Sequence, residues 1–379
     1  MKYYNKLSIY MKTICVITGT RADYGLLKGV IKDIEQSSNF NLLLFVTGSH
    51  LEKKYGNTYN CIEKDGFIIN EKIKMDLNSD SPEGILYSMS KELQGLAKCF
   101  NKYQIDLVLI LGDRYEMLIA AQVALIYNID IAHLCGGDIT QGAYDDSIRN
   151  SITNMAKFHF VTCKSSYNNV INMGENQKNV HLVGNPGLYD IKKFIPMKEN
   201  IFYAKLNILK RDRLIFVVNH SETLLSSEEN NKNMNILCDA LLNINDFDKT
   251  NIVFIHSNAD NCNKYIFKKI NDISYNYVNI YAFISLERNL YLNIIHYCDV
   301  FIGNSSSGIY EVPLFKKITF NLGNRQKGRE CGNSVINLEY NKGLIISQLN
   351  NIPLINNWSY PYDTMNTSKE ILRILSTSI

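Results

Sequence analysis

A chain of 379 residues is too long for one ordinary domain and, at roughly 150 residues per domain, divides into two. Hydrophobic residues at 46% and charged residues at 20% allow sizeable buried cores, which excludes a disordered chain, a collagen-like fibre and a disulfide mini-scaffold. The 40 basic and 37 acidic residues leave a net charge of +3, too even a balance to point to nucleic acid or a membrane surface as partner.

Nine cysteines are scattered along the chain (Cys15, Cys61, Cys99, Cys135, Cys163, Cys238, Cys262, Cys298 and Cys331). No two have CxxC spacing, so a zinc or thioredoxin-like site has no support, and free thiols in a reducing cytosol are expected. The opening MKYYNKLSIYMK lacks the apolar core of a signal peptide, and residues 1–10 read as an extension or an upstream start before Met11. Apolar runs are strand-length, so no membrane span and a cytoplasmic location are expected.

In chain order, strand-like runs fall at Thr13–Thr18, Leu42–Thr47, Asp106–Leu111, Ile129–Leu134, Phe158–Cys163 and Val180–Gly184. A second series follows at Leu214–Asn219, Ile252–His256, Val278–Ala282, Val300–Gly303 and Ile318–Asn321. Continuous apolar runs are what strands buried on both faces require, as in a parallel sheet covered by helices. Helix-like stretches alternate with them, which predicts an α/β protein with two doubly wound, Rossmann-like domains. The hinge is expected at residues 185–200, where Pro186, Gly187 and Pro196 cluster. The expected division is therefore 1–190, 200–362, and a terminal helix within 363–379 near Ser368–Ser376.

Open parallel sheets bind ligands beyond the carboxyl ends of their strands, and the unusual polar clusters of this chain follow strands. TGTRADYG (18–25) precedes a helix expected from about Leu26. It offers Arg21 as an anion clamp, or is simply a turn whose Arg21 pairs with Asp23. In LGDRYE (111–116), Asp113 and Arg114 suit acid–base work, or Asp113 is a helix cap. HLCGGDITQGAYDDSIRNSI (133–152) holds His133, Asp138, Asp145, Asp146 and Arg149 among glycines. A helix from about Asp146 would turn Ile148, Ile152 and Met155 to one face and leave Arg149 on another. Three carboxylates within nine residues exceed what capping needs, which favours a site. GNSSSGIYE (303–311) follows a strand and opens a helix, so Ser305, Ser306 and Ser307 form a candidate phosphate cradle with Glu311 in reach of a ribose diol. It lacks a P-loop lysine, which argues against ATP hydrolysis. Arg325 and Arg329 in NLGNRQKGRE offer a second anion contact. His220, after the first strand of the second series, shares that sheet edge.

Taken together, TGTRADYG, LGDRYEM, HLCGGD…YDDSIR, IHSNAD, IGNSSSGIYEVP and NLGNRQKGRE resemble, in order, the hydrolysing UDP-N-acetylglucosamine 2-epimerases of sialic acid biosynthesis. They also resemble relatives of those enzymes acting on diacetamido-trideoxy sugars for legionaminic acid. The resemblance runs from about Thr13 to Leu338. It implies a glycosyltransferase-B type fold with the nucleotide-sugar in the interdomain cleft, a homo-oligomer (dimer or tetramer), and no metal or organic cofactor. By motif position it implies Arg21, Gly25 and Arg114 near the pyrophosphate or sugar, and His220 and Asn258 lining the nucleotide pocket. Ser305, Ser306 and Ser307 would hold the diphosphate, Glu311 the ribose and Arg325 the nucleotide–phosphate side. Asp113 and Asp145 match the catalytic carboxylates, with Asp138 and His220 as further candidates.

The chain departs from the family pattern in carrying Cys135 where members have Glu or His, and Asp138 for the second Glu of that motif. It also has Asn150 for the His after SIR, and Ser221 for the Pro after the nucleotide-site His. Cys135 leaves open whether Asp138 or a water replaces a proton carrier, and keeps alive a non-catalytic nucleotide-sugar binder. The implied reaction is elimination of UDP to a 2-acetamidoglucal, then hydration, with UDP-N-acetylglucosamine preferred over UDP-2,4-diacetamido-2,4,6-trideoxyglucose as substrate.

Overall fold

The computed structural model describes residues 11–379 apart from 80, 141–144, 189–190, 192, 223, 257–262, 285 and 363–365. It divides into two compact units. The first holds residues 11–138, 147–189 and 363–379; the second holds 139–146 and 190–362.

The first unit alternates strand and helix: β1 (Lys12–Thr18), α1 (Arg21–Glu35), β2 (Phe40–Val46), α2 (Tyr59–Lys64), β3 (Glu71–Lys72), α3 (Pro82–Lys102), β4 (Leu107–Leu111) and α4 (Tyr115–Ile126). It continues with β5 (Asp130–Leu134), α5 (Asp145–Met155, whose first two residues group with the second unit), β6 (Phe158–Val161), α6 (Lys164–Asn172) and β7 (Val180–Leu182). The strands form one parallel sheet in the order β3-β2-β1-β4-β5-β6-β7. Period-two alternation distributes each strand between two cores. Ile14 and Val16 of β1, with Leu107 and Leu109 of β4, pack under α1. Cys15 and Ile17, with Val108 and Ile110, pack under α3 and α4. All eight side chains are fully buried, so these strands read as continuous apolar runs.

The second unit repeats the plan. Its elements are α7 (Glu199–Leu206), β8 (Arg213–Val218), α8 (Ser227–Leu241), β9 (Thr250–Ile255), α9 (Asn263–Asn276) and β10 (Ile280–Phe283). They continue with α10 (Arg288–Tyr297), β11 (Val300–Gly303), α11 (Ser307–Tyr310), β12 (Ile318–Leu322), β13 (Val335–Leu338) and α12 (Lys342–Asn350). The parallel sheet runs β10-β9-β8-β11-β12-β13. Ile215 and Val217 face one core, and Leu214, Phe216 and Val218 the other. Ser226 and Glu229 close a capping box at the start of α8.

Strands thus lie where the apolar runs place them, with two additions. β3 pairs through only Glu71 and Lys72, and β13 is a four-residue edge strand whose apolar Val335, Ile336 and Leu338 are interrupted by Asn337; both edge strands are too short to carry a clear periodic signal. Three helix expectations are corrected. α1 begins at Arg21 rather than Leu26, because Thr20 caps it by accepting a hydrogen bond from the Asp23 amide at 3.1 Å. The buried face of α5 carries Arg149, Ile152 and Thr153, while Ile148 is only half-buried. α11 is one turn long and gives way to a 3₁₀ turn at Val312–Phe315, where Pro313 has no amide to continue an α-helix.

The last helix, α13 (Thr367–Ser378), returns to the first unit. Ile371, Ile374 and Leu375 enter the core beneath α1. The Thr367 hydroxyl donates to the Val183 carbonyl at 2.8 Å, and the Ser368 hydroxyl to Asp33 at 2.5 Å. No helix among the described residues is long and apolar enough to cross a membrane. Removing the fully buried Ile371 side chain (Ile371→Ala) should destabilise the first unit by about 2–5 kcal/mol. Denaturant unfolding that resolves the two units checks this.

Candidate functional site

The carboxyl ends of β1, β4 and β5 are neighbours in the first sheet, and the loops that leave them carry most of the expected first-unit residues. The loop after β4 is held at three successive residues. The Gly112 carbonyl accepts a hydrogen bond from His133 Nε2 at 2.7 Å, and His133 Nδ1 lies 3.2 Å from the Thr153 hydroxyl. Burial pushes the His133 imidazole down to about 4, so it is neutral near pH 7 and acts as a brace. Asp113 Oδ2 receives Arg149 Nη2, and Arg149 Nη1 donates to the Asp138 carbonyl at 2.6 Å. Arg114 makes a two-point pair with Glu116, Nε to Oε2 and Nη2 to Oε1, both at 3.1 Å.

Glu116 is fully buried, whereas 40% of the Arg114 side chain is exposed. Two glycines border Glu116, and one of them has no space for a side chain. A Cβ on Gly19 would stand 3.4 Å from the Glu116 stem. A Cβ on Gly48 would stand 2.5 Å from the Gly19 carbonyl and 3.0 Å from Glu116 Oε1, and Gly48 has φ +58°. Two more carboxylates share this surrounding. Asp23 is pushed up to about 6 by burial and by Glu116, against the pull of Arg114. Glu92 is also raised well above its ordinary value, first by burial and then by Glu116. Burial opposes the Arg114 charge, but Glu116 and Asp23 outweigh it and raise the guanidinium above its ordinary value.

Arg21 is the exposed first residue of α1. Gly25 lies in that helix with open space around it, not in the loop expected from the motif. After β5, Cys135 adopts a left-handed conformation at φ +63° and its amide donates to the Phe160 carbonyl at 3.0 Å. Asp138 Oδ1 accepts from the hydroxyls of Thr162 at 2.7 Å and Ser166 at 2.6 Å, a geometry that anchors its loop to the end of β6. Asp145 stands first in α5, half-buried. Asp146 Oδ1 accepts from the Thr140 amide at 2.7 Å and is raised by burial, against Thr140 and Arg329.

In the second unit, β8, β11 and β12 are adjacent, and their loops meet on Asn304. Asn304 pairs with the His220 backbone in both directions, accepting at 2.7 Å and donating at 2.9 Å. Its own carbonyl accepts from Arg325 Nη1 at 3.1 Å and Gln326 Nε2 at 2.8 Å. Burial, then Arg325, pushes His220 down to about 3, so its ring is neutral. Ser305, Ser306 and Ser307 are half-buried. The Tyr291 hydroxyl donates to Ser307 at 2.7 Å, the Ser307 hydroxyl donates to Glu311 Oε2, and Arg288 pairs with Glu311 Oε1 at 2.5 Å. Glu311 therefore sits at the end of a single turn, braced from two sides. Arg329 lies over the Tyr310 ring and donates to the Thr140 hydroxyl at 3.1 Å. Asn258 and the IHSNAD loop lie outside the described residues, apart from Ile255 and His256. Among the described residues no group of three or more His, Cys, Asp or Glu is arranged to hold a metal ion.

Two doubly wound parallel sheets with polar, arginine- and serine-bearing loops at their strand ends define an α/β enzyme scaffold of glycosyltransferase-B type. A solved structure of UDP-GlcNAc 2-epimerase from Neisseria meningitidis, bound to UDP-GlcNAc, superposes with a TM-score of 0.72 at 17% identity, covering 97% of this chain and 100% of that one. The family model for UDP-N-acetylglucosamine 2-epimerase matches residues 32–376. The polysialic acid biosynthesis protein P7 of Escherichia coli is 35% identical over 97% of this chain and 95% of its own. A hydrolysing GDP/UDP-N,N'-diacetylbacillosamine 2-epimerase of Campylobacter jejuni is 33% identical over 87% and 85%. The chain belongs to the hydrolysing UDP-sugar 2-epimerase family.

Sequence reasoning missed the partners of the charged residues: Arg149 on Asp113, Glu116 on Arg114, Asn304 beneath His220, and Tyr291 with Arg288 around Ser307 and Glu311. The only local signal was Glu116, two residues after Arg114. The raised Asp23 carboxyl gives a pH prediction. Its stability contribution is intact below about pH 4 and is lost as pH rises through about 6, because ionising it inside the fold is unfavourable. Asp23→Asn should therefore melt like wild type at pH 4 and be about 1–3 kcal/mol more stable at pH 8. Thermal unfolding across that range checks it.

Proposed function

We propose that this protein converts UDP-N-acetylglucosamine and water to N-acetylmannosamine and UDP. The observation that carries the reading is the loop after β4. It presents a partly exposed carboxylate, Asp113, held by an almost fully buried guanidinium, in a chain of the hydrolysing 2-epimerase family. A carboxylate fixed on one oxygen and open to solvent is suited to moving a proton at carbon.

The reaction has two steps. In the first, the C1–O bond to UDP breaks with its electron pair leaving on the diphosphate, and a base removes the C2 proton to give a 2-acetamidoglucal. In the second, water adds across the double bond, hydroxyl to C1 and a proton to C2 from the opposite face, so C2 inverts and the free sugar departs. The C2 proton is not acidic in the ground state. Departure of UDP must run ahead, building positive charge at C1, and stabilising the leaving diphosphate is the main electrostatic task. Arg21, Arg325 and the hydroxyls of Ser305, Ser306 and Ser307 are assigned to it. Glu311, braced by Ser307 and Arg288, is assigned to the ribose diol.

Asp113 and Asp145 are assigned to acid–base work. Asp138 supports this chemistry less well than the motif implies, since two hydroxyls occupy its Oδ1. The neutral His220 ring is suited to accept or donate a hydrogen bond at the nucleotide rather than to supply charge. Arg114 contributes through its exposed face, its charge already paired with Glu116.

The same chemistry on UDP-2,4-diacetamido-2,4,6-trideoxyglucose is the second reading, favoured by the name of the Campylobacter jejuni relative. Incubating both nucleotide-sugars and following products by NMR decides between them. UDP plus a manno-configured free sugar from UDP-N-acetylglucosamine supports the first reading, and turnover of the diacetamido sugar alone supports the second. UDP release from neither leaves a nucleotide-sugar binder. Asp113→Asn should lower turnover by about 10²–10⁴-fold while calorimetric UDP affinity stays, because the groups assigned to UDP other than Arg21 belong to the second unit. Glu311→Ala should weaken UDP affinity at least about tenfold, the worth of a charge-assisted hydrogen bond of about 1.5–3 kcal/mol. Titration calorimetry measures it.

A further inference from the structure

We propose that Arg149 is a positioning residue for Asp113, engaging one carboxylate oxygen so that the other is presented to the reacting sugar; this rests on the reaction assigned above. Arg149 has only 2% of its side chain exposed, against 24% for Asp113. Among the described residues it reaches Asp113 through Oδ2, and none reaches Oδ1. Its second amino group donates to the Asp138 carbonyl at 2.6 Å, so one planar guanidinium fixes the loop after β4 against the loop after β5. A rigid fork can hold two acceptors at a set angle, whereas a lysine ammonium on a flexible stem lacks that geometry.

The same helix reaches the same loop by a second route. Thr153, one turn after Arg149 on the buried face of α5, meets His133 Nδ1 at 3.2 Å, and His133 Nε2 holds the Gly112 carbonyl at 2.7 Å. Residues 112 and 113 are thus each tied to α5, one through a histidine and one directly. A helix that pins two consecutive residues leaves the Asp113 backbone and carboxylate little freedom to turn. Arg149 touches no reacting atom in this account; its effect is transmitted wholly through Asp113.

The test compares wild type, Arg149→Lys, Arg149→Met, Asp113→Asn and the double variant Asp113→Asn/Arg149→Lys. The measurements are UDP release from each nucleotide-sugar, calorimetric UDP affinity and thermal unfolding. Arg149→Lys is expected to fold and to keep UDP affinity and KM within about threefold while kcat falls about 10²-fold, the scale of a slightly misplaced reacting group. The double variant is expected to be no more than about threefold slower than Asp113→Asn alone, since a residue acting through another adds no loss once that other is gone. Arg149→Met, which keeps the stem packing, serves if the lysine variant does not fold. Near-wild-type kcat in a folded Arg149 variant, losses that multiply in the double variant, or UDP affinity falling together with stability each overturn the proposal. So does failure of both Arg149 variants to fold, which makes the residue structural. A wild-type chain that releases UDP from neither sugar overturns the assigned reaction first, and this inference with it.

Discussion

Two oppositely charged neighbours at the end of β4 are each neutralised by a different element. Asp113 is met by Arg149 from α5, and Arg114 by Glu116 from the first turn of α4. Taking ions out of water is unfavourable by several kcal/mol each unless they are paired and hydrogen-bonded, so these two pairs can form only where the backbone is already well placed. Once formed, they constrain it in return. The His133 brace on Gly112 completes the arrangement, and three successive residues of a short loop lose their freedom. A reactive carboxylate on a loop is useful only if that loop behaves like a rigid element, and two ion pairs, each with one buried partner, achieve this without a regular hydrogen-bond ladder.

The glycine after β2 has a packing purpose. Gly48 lies against the Gly19 carbonyl and the Glu116 carboxylate, where a Cβ would collide with the carbonyl. It admits a buried carboxylate and so serves the Arg114 pair. Glu92 and Asp23 crowd the same region with more acid than one guanidinium can compensate. The structure answers by raising their proton affinity, with burial as the leading cause. Burial makes a carboxyl hold its proton more tightly where cations run out.

The second unit solves its polar problem mostly with neutral groups. Asn304 uses its side-chain carbonyl, its amide and its backbone carbonyl at once, linking the loops after β8 and β12 to the one after β11. The adjacent Tyr340 hydroxyl, donating to Asn219 at 2.8 Å, extends the network. Burial of His220 beside Arg325 keeps its ring uncharged, so the arginine remains the cation of that edge. The Glu311 carboxylate is held by Arg288 and by the Tyr291–Ser307 hydroxyl pair. A hydrogen-bonded neutral scaffold around few charges suits a place where an anion is expected, because it does not compete for it.

What sequence alone determined was whatever repeats locally. Continuous apolar runs marked β1, β4 and β11 because strands covered on both faces must be apolar throughout, and their alternation with helices settled the doubly wound class. Motif order was sufficient to recognise the family, since each motif is a contiguous string. Elements too short or too local for such a signal escaped: the two-residue β3, the four-residue β13 interrupted by Asn337, and the start of α1, which depends on a single capping hydroxyl. The site divided along the same line. Asp113, Arg114 and Ser305–Ser307 were visible as residue types after strands. That Arg149, 36 positions from Asp113, is buried against it, and that Glu92 and Gly48 crowd Glu116, was decided only in three dimensions. A chain carries its local periodicities in order, but the pairing of a buried charge is set by which elements the sheet brings side by side, and no spacing in the sequence encodes that.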